Sequence, residues 1–252
     1  MSGAIYVSAA GALNHQKKLE ILANNIANVN TTGFKKDRTA FRIYDFKSSP
    51  TDNNTASEIA KAEPFLPVPS GTEPVFSQGG MRQTGNALDI AIEGEGFFTI
   101  QTPAGVRYTR NGSFNLNKDG VLVTKDGFSV LGDGGEIKIA DDDDKIFTVD
   151  DEGTIFVDDK QIGKLNIVDF SQPYALSKVG NTLFELKDKG SKEITAERFQ
   201  VKQGYLELSN VDIITSMTEM IETFRGYESY QKVIKSINDV NGKAINELGR
   251  IG

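Results

Sequence analysis

Residue types able to do chemistry are few in this chain of 252 residues. It has no cysteine, so thiolate nucleophiles, disulfides and cysteine-ligated metal centres are excluded. The single histidine, His15, leaves no histidine pair for a metal and no histidine-based triad. Asp141–Asp144 are four consecutive carboxylates, the ligand type that calcium takes. Adjacent acids in a loop do not converge easily on one ion, and no glycine-spaced calcium-loop pattern follows. The run is read as a solvated loop that also deters β-edge association. Glu93 and Glu95 could be imagined as the paired carboxylates of a glycosidase, but they alternate with Gly94 and Gly96 in a turn. That Gly-x-Gly pair lacks a third spaced glycine and a following helix, so it is weak as a nucleotide motif. No catalytic, cofactor-binding or metal site is expected, and the chain is not read as an enzyme.

The net charge of -7 is mostly local. Residues 141–152 hold seven acids and one lysine, which leaves about -1 for the remainder. No basic stripe marks a nucleic-acid partner. No apolar run reaches membrane-spanning length, so no membrane insertion is expected. The N-terminus lacks the basic region of a cleaved secretory signal. These rules alone would leave the chain in the cytoplasm, and they miss export routes that use no cleaved peptide.

The elements that must position any function are two helices and a strand-rich middle. From about Ser2 to Asn28, Ile5, Ala12, Leu19 and Ile26 recur every seven residues, and Leu22 and Val29 add a second stripe. In the first half that stripe is polar, at Ser8 and His15. Asn28 to Gly33 should stop the helix. Residues 45–80 carry five of the seven prolines and read as an extended connector. From about Ala87 to Val201 short apolar runs alternate with turns. Asp119-Gly120 and Asp126-Gly127 each predict a hairpin, because both residue types tolerate positive φ. Gly163–Phe170 reads as one strand.

About Asn210 to Leu248 reads as a long helix, with a capping box at Ser209 and Asp212. Its stripe runs through Ile213, Met217, Met220, Phe224, Tyr227, Tyr230, Ile234 and Ile237, near the 3.5-residue period of a coiled-coil seam. Ile214, Ile221, Tyr230, Val233, Val240 and Ile245 flank that seam and widen the apolar face beyond what one helix partner covers. The expected fold class is α+β. Terminal N- and C-terminal helices pair as a coiled-coil-like layer, and the central domain is mostly antiparallel β. The expected divisions are an N-terminal helix in 1–35, a connector in 36–86 that packs partly on the β domain, a β domain in 87–208, and a C-terminal helix in 209–252.

Leu22-Ala23-Asn24-Asn25-Ile26-Ala27-Asn28-Val29-Asn30-Thr31-Thr32-Gly33-Phe34-Lys35 resembles the N-terminal signature of flagellar rod and hook axial proteins. Leu88 to Phe98, Tyr108 to Phe114, and Gln203 to Val211 resemble later blocks of the same family, in the same order. The ending Lys232 to Ala244 is more similar to the proximal-rod F type, which is the favoured reading. The Phe97-Phe98 pair is more like the distal-rod G type.

The resemblance implies a structural basal-body subunit that self-assembles into a helical tube. It also implies other rod and hook subunits as partners, and export by the flagellar type III apparatus without a cleaved signal into the periplasmic rod. Open head-to-tail contacts between identical subunits suit that geometry. The candidate subunit-interface residues are Ile5, Ala12, Leu19, Leu22, Asn24, Asn25, Ile26, Asn28, Val29 and Phe34 at one end. At the other they are Ile213, Met217, Met220, Ile221, Phe224, Tyr227, Ile234, Ile237 and Leu248. The asparagines keep two readings, helix-end turn residues or amides that bond across packed helices. A peptidoglycan-acting hydrolase and a coiled-coil adaptor stand as the alternatives of other classes.

Overall fold

The structure is a computed structural model that describes residues 2–44, 66–139, 146–170, 176–180, 182–187 and 192–248. The acidic run Asp141–Asp144 lies outside the described residues. The fold is α+β, with helix α1 at Ser2–Ala27, helix α2 at Ile213–Leu248, and antiparallel strands between them.

The chain divides into two compact units. The first holds α1 up to Ala23, α2 from Met217, and Arg38–Glu73. Its helices pack along a seam. From α1 this seam takes Ser8, Ala12 and Leu22, all buried, with Ile5, His15 and Leu19 partly buried. From α2 it takes buried Thr223 with Met220, Tyr227, Tyr230, Ile234 and Ile237 partly buried. The ring of Tyr230 lies against Gly11 and 5.4 Å from the His15 ring, and His15 also meets Gly226. Residue numbers therefore rise on one helix as they fall on the other, and the pair is antiparallel.

The polar first half of the α1 stripe, Ser8 and His15, faces the partner helix after all. The α2 seam differs from an all-apolar reading. Thr223 fills a seam position because its hydroxyl donates to the Glu219 carbonyl at 2.6 Å and needs no other partner. Met217 and Phe224 are displaced from the seam and stand about half exposed.

The second unit holds 24–37 and 74–216. Its middle strand, Phe97–Thr102, pairs antiparallel with Gly105–Thr109, Ser129–Gly132 and Ile167–Phe170. Alternate residues of that strand serve two cores, as the period of 2 requires. Phe98 and Ile100 join Ile90, Phe114, Leu122, Val130 and Ile155 on one face. Phe97 joins Tyr108, Phe170, Leu176 and Phe184 on the other. Both Asp-Gly turns join paired strands: Phe114–Leu116 with Leu122–Thr124, and the latter with Ser129–Gly132.

The stretch Gly163–Phe170 is not one strand. Lys160–Lys164 pairs with Thr154–Val157, whereas Ile167–Phe170 crosses to Phe97–Phe98. Phe199–Gln203 and Tyr205–Glu207 return to pair with Ile90–Gly94 and Met81–Gln83.

Candidate assembly surface

Helix α2 starts one turn later than a Ser209 capping box would place it. The Thr215 N–H donates to Asp212 Oδ1 at 2.6 Å, which makes Asp212 the N-cap. Ser209 instead accepts from the Val211 N–H at 3.3 Å, in the turn before the helix. The Thr215 backbone hydrogen bond holds the Asp212 carboxyl below its ordinary range. From this start one flank of α2 is apolar. Ile214 is 75% exposed, Ile221 56% and Phe224 50%, with Ile213 and Met217 also exposed. Further along, Val233 and Val240 are about half exposed. On α1, Tyr6 is 74% exposed, and Val7 and Leu13 exceed half. Scattered surface apolar residues need no explanation, but a continuous stripe on a helix whose other side is already packed does.

The sequence-nominated residues fall into three groups. Ala12, Leu22, Asn25 and Phe34 are buried, and Asn24, Ile213, Met217, Ile221 and Phe224 are exposed. Ile5, Leu19, Ile26, Asn28, Val29, Met220, Tyr227, Ile234 and Ile237 are partly buried. The side chain of Leu248 lies outside the described residues.

The asparagines have intramolecular partners. The Asn25 amide N–H donates to the Asp37 carbonyl at 2.8 Å, and its oxygen accepts from the Asp37 N–H at 2.9 Å. It thereby satisfies both backbone groups of a residue twelve positions on. Asn28 donates to the Asn24 carbonyl at 2.9 Å and accepts from the Thr31 hydroxyl, as a helix-end turn residue does.

A buried ionic node in the second unit was not nominated from sequence. Lys35, Arg110 and Glu207 are each at most 5% exposed. Lys35 Nζ donates to Glu207 Oε1 at 2.6 Å and to the Ser77 carbonyl at 2.8 Å. Arg110 Nη1 reaches Glu207 Oε2 at 3.3 Å, and its Nη2 donates to the Gly94 carbonyl at 2.7 Å. The Gly79 N–H also donates to Glu207 Oε1 at 2.8 Å. Burial pushes the Lys35 ammonium below its usual range, against the pull of the Glu207 carboxylate. Burial acts in the same direction on Arg110, which remains charged.

The backbone follows the side chains. The Gly33 N–H donates to the Glu207 carbonyl at 2.8 Å, and Asn210 brackets Lys36 N–H and the Val75 and Ser77 carbonyls. Gly33 has φ +68, and a Cβ there would lie 2.4 Å from Asn111 N, so only glycine fits. Lys178 closes one side. It donates to the Lys35 carbonyl and to Asp37 Oδ2, with its ammonium 4.1 Å from the centre of the Phe34 ring.

Three family models match along the chain. A model of the flagella basal body rod protein covers 5–35, the D1 domain of flagellar hook protein FlgE/F/G covers 91–157, and the C-terminal part of flagellar basal body rod FlgEFG proteins covers 202–247. The rod protein FlgG of Bacillus subtilis (strain 168) is 36% identical over 240 residues, which is 87% of this chain and 89% of that protein. The rod protein FlgF of Caulobacter vibrioides is 33% identical over 252 residues, 100% of each chain. FlgG of Agrobacterium fabrum is 35% identical over 234 residues, 86% of this chain and 88% of that one. The chain belongs to the flagellar basal-body rod protein family.

In this rod protein each matched segment supplies one charge of the buried node: Lys35 from the first, Arg110 from the second and Glu207 from the third. The family is structural rather than enzymatic. The two carboxylates considered for sugar chemistry fit that character. Glu93 and Glu95 are both exposed, and Glu93 Oε2 lies 3.6 Å from Lys202 Nζ. Gly94 between them has φ +99, and a Cβ there would lie 2.3 Å from the Arg198 carbonyl, so the turn needs its glycine. Among the described residues no helix is long and apolar enough to cross a membrane, which says nothing of β-barrels.

Proposed function

We propose that this structural subunit of the flagellar basal-body rod self-assembles into a helical tube through its terminal helices. The observation that carries the reading is the two-sidedness of those helices. One side of each is packed in the intramolecular seam, while Tyr6, Leu13, Ile214, Met217, Ile221 and Phe224 remain exposed. Each of these large side chains gains roughly 1.5–3 kcal/mol when fully covered, so sister subunits are the natural cover. Neighbouring rod and hook subunits are the further partners, and the assembled rod lies in the periplasm. Export through the flagellar type III apparatus, without a cleaved signal, belongs to the same reading. The proximal F-type position is favoured by the ending Lys232 to Ala244, and alignment with the Caulobacter FlgF over 100% of both chains supports it.

Disruption of the gene should stop flagellar assembly before the hook, and re-expression of a chain carrying Met217→Asp and Phe224→Asp should not restore it. Hooks assembled on cells with this double variant as their only copy would overturn the role of the helix surface.

A further inference from the structure

Two mid-helix glycines each lie under an aromatic ring of the facing helix. A Cβ on Gly11 of α1 would stand 2.5 Å from the Tyr230 ring of α2, and a Cβ on Gly226 of α2 would stand 2.6 Å from the His15 ring of α1. The two rings also meet each other, 5.4 Å apart between centroids and tilted by 45°. Glycine weakens a helix interior relative to alanine, so both positions need a packing reason. Gly242, further along α2, gives the contrast, because a Cβ there would meet nothing within 4 Å. His15 Nδ1 is buried and bonds to nothing among the described residues, so shape holds that ring in the seam.

The rest of the seam leaves its register open. On α1, Ile5, Ala12 and Leu19 recur every seven residues. On α2, Met220, Tyr227 and Ile234 do the same, as do Thr223, Tyr230 and Ile237. Two such stripes also mesh when one helix slides by seven residues, roughly 10 Å. The glycines remove that freedom. A slide of seven in either direction sets Tyr230 opposite Ala4 or Lys18 in place of Gly11. It sets His15 opposite Glu219 or Val233 in place of Gly226. Each of these four residues carries a Cβ where the ring now touches bare backbone.

We infer that Gly11, His15, Gly226 and Tyr230 act together as a register lock that fixes the axial offset of α1 against α2. The lock lies within one molecule and holds whether or not subunits assemble. It sets how far exposed Tyr6 and Leu13 of α1 stand along the axis from exposed Met217, Ile221 and Phe224 of α2. The consequence of that offset for a neighbouring subunit rests on the self-assembly reading above.

The test is the sign of one substitution at three places. In the full-length chain, urea unfolding is followed by helical circular dichroism. Gly242→Ala should raise the folding equilibrium by up to about fivefold, because the new methyl group meets open space. Gly11→Ala and Gly226→Ala should each lower it about tenfold, because a ring occupies that space. Gly11→Ala combined with Tyr230→Ala should lose less than the two single variants together. The chain's one histidine supplies an independent signature. Its ring protons should show nuclear Overhauser contacts with the Gly226 α-protons, and Gly11→Ala should abolish them.

If Gly11→Ala and Gly226→Ala stabilise as Gly242→Ala does, the proposal is overturned. Contacts between His15 and Gly226 that survive Gly11→Ala would overturn it as well, and would place control of the register elsewhere in the chain. Flagella built normally from a Gly11→Ala chain that has lost the histidine contact would overturn only the consequence for assembly. Failure of the unaltered chain to self-assemble would remove that same consequence and leave the lock standing.

Discussion

Lys35 Nζ lies 2.6 Å from Glu207 Oε1 across 172 positions of chain, and neither side chain is more than 1% exposed. Such a pair gains little over two well-packed apolar residues, because desolvation consumes most of the attraction. What it does is specify. Only the arrangement that brings residues 33–37, 108–114 and 203–211 together satisfies all three charges at once. The node thus holds together segments that adjoin both helices in sequence.

Glu207 accepts from both cations, so its removal strands them. Glu207→Gln is expected to cost about 3–5 kcal/mol of unfolding free energy, and Lys35→Met less, since the Arg110–Glu207 pair survives it. Urea titration of both variants checks the order. A Glu207→Gln loss below that of Lys35→Met would contradict the account.

Asn25 bridges both backbone groups of Asp37. Asn25→Leu keeps the volume and leaves that N–H and carbonyl unpaired, for a loss of about 1–3 kcal/mol. An unchanged thermal midpoint would contradict this bridging role for Asn25.

Asp212 links α2 to pH. Its folded pKa is depressed from 3.8, with the Thr215 backbone hydrogen bond as the first cause. The stability it contributes is therefore fully present above about pH 3.8 and is lost as pH falls through the lower folded value. Circular dichroism during acid titration should show Asp212→Asn, a good neutral cap, without this component. Identical acid profiles for the two proteins would rule it out.

Tyr108 gives the opposite limb. Its phenol donates to Glu193, and burial, followed by that carboxylate, raises its pKa above the ordinary 10.0. The folded chain keeps a proton that the unfolded chain releases, so stability falls as pH rises beyond about 10. Tyr108→Phe should flatten that alkaline decline in urea unfolding. A decline as steep as that of the unaltered protein would assign it to other groups.

Much of the architecture was legible from residue spacing. Ile5, Ala12, Leu19 and Ile26 announced α1, and the two Asp-Gly pairs announced their hairpins. The seam of α2 was harder, because an apolar-first reading selects Met217 and Phe224 and passes over Thr223, whose hydroxyl is satisfied inside its own helix. Phe199–Gln203 and Tyr205–Glu207 pair with strands more than a hundred residues earlier, and no local signal marks such partners. The node was hidden for a related reason. Lys35, Arg110 and Glu207 look like surface charges in isolation, and only the fold brings them together. The family signature contained all three without revealing that they meet.

The most direct test of the account is sedimentation velocity of the full-length chain over a wide concentration range, alone and with neighbouring rod subunits, beside the Met217→Asp/Phe224→Asp variant. The account predicts concentration-dependent growth of the unaltered chain into large assemblies. It also predicts a variant that stays monomeric with unchanged stability, because both substituted positions are exposed in the single molecule. Equal growth of both proteins, or a solitary monomer for both under every condition, would contradict it.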